Sequence, residues 1–160
     1  MSRIFLDTNV LVYSFDPDSP EKQATARRLI QEGLVSQRGF VSTQIVQEFL
    51  NVATRKVAHP LTVSESREYL QGVLRPLCRH TPSIAFYDRA LLVREETAFT
   101  LYDAMIVAAA AELGCATLHS EDLQHGRTVR GVRLLVPVRL ADLGSLALRL
   151  AVADRLAPAE

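Results

Sequence analysis

Residues 100–126 read Thr100-Leu-Tyr-Asp103-Ala-Met-Ile106-Val-Ala-Ala-Ala-Ala111-Glu-Leu-Gly114, then Cys115-Ala-Thr-Leu-His119, then Ser120-Glu121-Asp122-Leu-Gln-His-Gly126. The first part has the period of a helix. Ile106, Ala109, Ala110 and Leu113 recur at helical spacing, and Gly114 supplies a left-handed stop. Small residues at 108–111 let another element come close. Cys115 to His119 is short and apolar and follows the stop directly, which predicts a buried parallel strand. Asp103 falls in the first helical turn and Asp122 just beyond the strand. Ligands of open α/β sheets bind beyond the carboxyl ends of the strands, so Asp122 stands where chemistry is usual.

The same alternation extends outward on both sides. Ile4–Leu6 predicts a first strand ending at Asp7, and Asn9–Phe15 a short helix closed by the turn residues 16–20. Glu21–Leu34 predicts an amphipathic helix that buries Ala26, Leu29, Ile30 and Leu34. Gly39–Ser42 reads as a second strand. Thr43 suits the cap of a helix running to about Val57, stopped by His59-Pro60. Further helices are expected from Val63 to about Leu74, ended by Pro76, and over Tyr87–Glu96. A last strand is expected over Arg133–Val136 and a leucine-rich helix over Leu140–Leu156. Strands alternating with helices predict an α/β sandwich around a mostly parallel sheet.

A chain of 160 residues supports one domain with a real core. Its 18 basic and 18 acidic side chains cancel, so a nucleic-acid surface has to be a local patch. Cys78 and Cys115 lack metal-ligand spacing and read as thiols of a reducing compartment. Asp7 and Asn9 interrupt the apolar N-terminus, so no export signal is read there. Asp142, Arg149 and Asp154 interrupt the leucine-rich tail, which excludes a membrane span. The expected location is the cytoplasm.

Four acids stand out, and each has an ordinary structural alternative. Asp7 opens Asp-Thr-Asn, where it also suits a helix N-cap. Glu48 lies at the edge of the apolar arc of its helix, where it is either partly buried or reaches water. Asp103 completes the capping-box pattern Thr100-x-x-Asp103, and Asp122 suits a turn. Taken together, an acid-only cluster at one sheet edge suits a hard divalent cation and phosphodiester hydrolysis. Without a cation such carboxylates repel one another and regain protons.

Phe5-Leu6-Asp7-Thr8-Asn9, Gln47-Glu48-Phe49, Tyr102-Asp103 with its following apolar run, and Ser120-Glu121-Asp122 together resemble the PIN domain. The likeness is nearest to VapC-type toxin ribonucleases of prokaryotic type II toxin–antitoxin systems. It covers residues 3 to about 138, and implies a three-layer sandwich with a short, mostly parallel central sheet. It implies that Asp7, Glu48, Asp103 and Asp122 are catalytic and bind Mg²⁺, with Mn²⁺ as substitute, and that Thr8 and Ser120 are supporting polar groups. It also implies an RNA substrate, a homodimer and a cognate antitoxin. The expected organisation is a nuclease domain over 1–140 and a C-terminal extension over 141–160.

Glu121 is an alternative ligand to its neighbour, although position within the motif favours Asp122. His119 and His125 bracket the acid loop without metal-ligand spacing. Arg27, Arg28, Arg55, Lys56, Arg75, Arg79 and Arg127 are candidates for a phosphate-tracking patch, or simply solvated helix faces. Apolar residues at Phe40, Val41 and Leu61–Leu77 exceed what a small sheet needs, which predicts interfaces. Two other functions fit part of the pattern. An inactive PIN-like module would bind RNA or protein, and a haloacid-dehalogenase-type phosphatase would want a second Asp where Asn9 stands.

Overall fold

The computed structural model describes residues 1–137. Strand β1 (Ile4–Leu6) is followed by α1 (Thr8–Tyr13), α2 (Pro20–Ser36), β2 (Gly39–Ser42) and α3 (Thr43–Ala53). Helix α4 (Val63–Tyr69) continues through a π-helical turn, Leu70–Leu74, into α5 (Arg75–Leu77) and β3 (Cys78–His80). Then come α6 (Ile84–Thr97), α7 (Leu101–Glu112), β4 (Thr117–His119), β5 (Thr128–Val129) and β6 (Val132–Leu135).

The strands form one sheet in the order β3-β2-β1-β4-β6-β5. Every pairing is parallel except β5 with β6. With helices flanking it, this is the three-layer α/β sandwich expected. Chain order reverses at β1, which has β2 on one side and β4 on the other. A crevice opens at such a reversal.

Phe5, Leu6 and Leu118 of the sheet, and Ile45 and Phe49 of α3, are fully enclosed. Helix α7 is buried from Ala104 through Ala110, on every side, because α6 covers the face turned from the sheet. The alanines that suggested close approach are what allow it. At the other side of β1, α2 and β2 meet backbone to backbone. A methyl group on Gly39 would lie 2.5 Å from Cα of Gly33, so neither position has room for a side chain.

The structure corrects several expectations. Ser42, not Thr43, takes the N-cap position of α3, and that helix ends at Ala53, before Val57. The fourth helix runs on past Leu74, through Pro76 to Leu77, so Pro76 lies in its last turn and the helix ends one residue beyond it. Strands β3 and β5 were not foreseen. β5 is two residues long, and its turn places Arg130 and Gly131 at φ 50° and 80°, as a tight hairpin requires. The apolar surplus is largely internal: Val41, Leu74 and Leu77 are buried, and Phe40, Leu61, Leu70 and Val73 pack on the core. The large apolar side chains left exposed include Val63, and Ile84, Tyr87, Leu91 and Leu92 on α6. The leucine-rich helix, and the division at residue 140, lie outside the described residues.

Candidate active site

Strands β1 and β4 end side by side, with Leu6 opposite His119 and the Asp7 amide donating to the His119 carbonyl at 3.0 Å. The next residue on each strand is functional in type. Asp7 caps α1, its Oδ1 accepting from the Thr8 amide at 2.6 Å. Its Oδ2 accepts from the Ser120 hydroxyl at 2.6 Å. Asp7 keeps only 5% of its surface, so capping does not account for its placement by itself. Burial pushes its carboxyl up to about 6. The bonds from Ser120 and Thr8 pull the other way, and the charges of Glu48 and Asp122 push further up.

Glu48 comes in from α3, partly buried. Its Oε2 accepts from the Thr8 hydroxyl at 2.7 Å and its Oε1 from Gln44 Nε2 at 2.9 Å. Asp122 lies at the exposed mouth, where Asn9 Nδ2 donates to its Oδ2 at 3.3 Å. Its amide donates to Ser120 Oγ at 3.2 Å, so one serine hydroxyl serves both Asp7 and the acid loop. Asp103 is the least integrated of the four. Thr100 caps α7 through the Asp103 amide at 3.2 Å, and its hydroxyl donates to Asp103 Oδ2 at 2.7 Å. Gln44 connects this rim to Glu48 through a 3.4 Å bond to the Tyr102 carbonyl.

Among the described residues, every ion pair lies elsewhere: none involves Asp7, Glu48, Asp103 or Asp122. Glu121 differs, because Lys22 and Tyr13 hold it. Sequence reasoning missed Asn9, Gln44, Tyr13 and Lys22. The available signals were Asn9 within Asp-Thr-Asn and Gln44 four residues before Glu48, on the same helix face. His119 is partly buried and desolvation lowers its pKa, aided by Arg28. His125 Nδ1 accepts from the Val136 amide at 3.0 Å.

Among the described residues no three His, Cys, Asp or Glu side chains stand as a ready metal cage. Thr8, Asn9 and Thr100 each take up a carboxylate with a neutral donor instead. The donor chemistry still fits a hard divalent cation. Every group is an oxygen, none has a basic partner, and Asn9 Oδ1 is buried with no hydrogen bond.

A PIN domain family model matches residues 4–130. No curated protein matches the chain in sequence. Among solved structures, a toxin–antitoxin complex from Klebsiella pneumoniae is similar at TM-score 0.62 and 19% identity, over 87% of this chain and 100% of that one. The crystal structure of FitAcB from Neisseria gonorrhoeae is similar at TM-score 0.53 and 20% identity, over 84% of this chain and 97% of that one. At these identities the likeness is one of fold.

Proposed function

The chain belongs to the PIN domain family, and on that premise we propose that it is a metal-dependent endoribonuclease, the toxin of a VapC-type toxin–antitoxin pair. PIN domains are generally metal-dependent nucleases. The observation that carries the reading is a buried carboxylate, Asp7, whose charged neighbours are two further carboxylates. A fold gains nothing from that repulsion unless a cation offsets it.

On this reading Asp7, Glu48, Asp103 and Asp122 hold Mg²⁺ or Mn²⁺. Bound there, the cation supplies a nucleophilic water near neutral pH and offsets charge on the scissile phosphodiester. The chain does the orienting. Thr8 amide and Ser120 hydroxyl fix both oxygens of Asp7, and Thr8 hydroxyl with Gln44 fixes Glu48. The protein is cytoplasmic on this reading, where RNA and an antitoxin meet it; among the described residues no helix is long and apolar enough to cross a membrane. An antitoxin partner is supported by the Klebsiella complex. A homodimer is supported by the apolar stripe Ile84, Tyr87, Leu91 exposed along α6. Residues 1–140 form the nuclease domain and 141–160 an extension to it.

Cleavage of single-stranded or looped RNA, in Mg²⁺ and in EDTA, tests the reading. Wild type should cut only with the cation, and Asp7→Asn and Glu48→Gln should not cut. Equal cutting in EDTA, or an active Asp7→Asn, sinks it. An intact fold without cleavage under any condition favours the inactive binding module. Family membership sets the phosphatase aside.

A further inference from the structure

Glu121 lies between Ser120 and Asp122, yet its carboxylate is held elsewhere. Oε2 accepts from the Tyr13 hydroxyl, and Oε1 pairs with Lys22 Nζ at 2.7 Å. Lys22 also donates to the Tyr13 oxygen at 3.2 Å and stands 4.5 Å from that ring's centre. One carboxylate therefore ties α1 and α2 to the loop after β4. The side chains of Lys22 and Glu121 keep 29% and 21% exposure, so the pair is partly shielded from water.

The geometry along α1 gives this triad a meaning. Asn9 and Tyr13 are four residues apart and share a face of the helix. Ser120 engages Asp7 at the cap of α1, Asp122 engages Asn9 in its first turn, and Glu121 engages Tyr13 a turn further on. Consecutive loop residues are thus fastened at separate levels of one helix. Two adjacent carboxylates stand in this loop, and the basic and phenolic partners hold only one of them.

We propose that Tyr13 and Lys22 form a positioning device. By withdrawing Glu121 along α1 they leave Asp122 as the loop carboxylate at the crevice and fix its distance from Asp7. The proposal rests on the reading of the four acids as a metal site. Tyr13 and Lys22 are positioning residues that act through Asp122 and touch no reacting atom.

Mn²⁺ alone is the probe, titrated into the full chain and followed by its electron paramagnetic resonance signal, beside RNA cleavage over a range of Mn²⁺. Glu121→Gln preserves shape and removes the charge, and Lys22→Met removes its partner. Each should weaken Mn²⁺ binding about tenfold while leaving cleavage at saturating Mn²⁺ within about threefold of wild type. Lys22→Arg should restore most of the affinity. Because the device acts through Asp122, adding Glu121→Gln to Asp122→Asn should cost no further Mn²⁺ affinity. Unchanged Mn²⁺ binding in both single variants, or a full additive loss in the double variant, overturns the device and leaves the four-acid site standing. If Asp7→Asn binds Mn²⁺ as wild type does, the site falls and the device falls with it.

Discussion

The Ser120 hydroxyl donates to Asp7 Oδ2 across 2.6 Å, with both residues buried and their strands adjacent in the sheet. This bond lowers the Asp7 pKa against the burial that raises it. Ser120→Ala should therefore destabilise the chain by about 1–3 kcal/mol, the cost of a buried acceptor losing its partner. It should also move the acidic limb of Mn²⁺ binding to higher pH. A variant with wild-type stability and an unmoved limb would show that the bond matters to neither.

Asp7→Asn separates the cost of the site from its use. The Asp7 carboxyl is raised from 3.8 to about 6, and such a group destabilises the folded state once pH passes its unfolded value. Below about pH 3.8 both states hold the proton and the cost is nil; above about pH 6 it is complete, about 3 kcal/mol. In EDTA, Asp7→Asn should be the more stable protein at about pH 7.5, with the difference closing toward pH 4. Mn²⁺ should raise the wild-type melting temperature more at pH 7.5 than at pH 5. A variant that melts lower than wild type at pH 7.5 in EDTA would refute the burial cost.

On the proposed reading Asp103 has a structural and a site role, which substitution separates. The cap bond runs from the Asp103 amide to Thr100 Oγ1, and the bond that the carboxylate accepts from the Thr100 hydroxyl can pass to the side-chain oxygen of an asparagine. Asp103→Asn should thus abolish cleavage while shifting stability by under about 0.5 kcal/mol. Thr100→Ala should cost about 1 kcal/mol through the lost cap. Thermal unfolding and cleavage on both variants decide the matter; an active Asp103→Asn removes that residue from the site.

Gly39→Ala tests the tightest crossing in the fold. Its added methyl meets backbone at 2.5 Å rather than the end of a flexible side chain. A loss of about 1–3 kcal/mol in denaturant unfolding is expected. A neutral result would show that α2 and β2 can separate freely.

The α6 stripe predicts assembly. Ile84 is 86% exposed and Leu91 50%, seven residues apart on one helix. Ile84→Glu with Leu91→Glu should shift the chain from dimer to monomer in analytical ultracentrifugation without altering its thermal unfolding. A wild-type chain that is already monomeric at micromolar concentration removes the homodimer from the reading.

Elements with a helical period or a bounded apolar run were legible in the sequence. β1 and β2 lie close to where their short apolar runs placed them, α2 where the period of its buried face placed it, and α7 where its helical period and glycine stop did. β3 and β5 were not: Cys78-Arg79-His80 and Thr128-Val129 form no apolar run of their own, and the neighbouring strand recruits them. Asp7, Glu48 and Asp122 announced themselves as acids beside apolar runs. The partners that set their geometry did not. Asn9, Gln44, Tyr13 and Lys22 are polar residues on amphipathic helices, and only the packing of α1 against α2, α3 and the acid loop gives them a common target.

The position of β1 in the sheet order bears on when activity can arise. Asp7 emerges first from the ribosome, but the contact that completes its surroundings spans 113 residues, to Ser120. β4 is in turn flanked by β6, which ends at Leu135. A partly synthesised chain therefore carries Asp7, Glu48 and even Asp103 with no β4 to close the crevice. Closing so long a loop comes late in folding, because its entropy must be spent before any contact rewards it. On the proposed reading, a polypeptide that threatens its own messenger is harmless until nearly all of the described chain has been made.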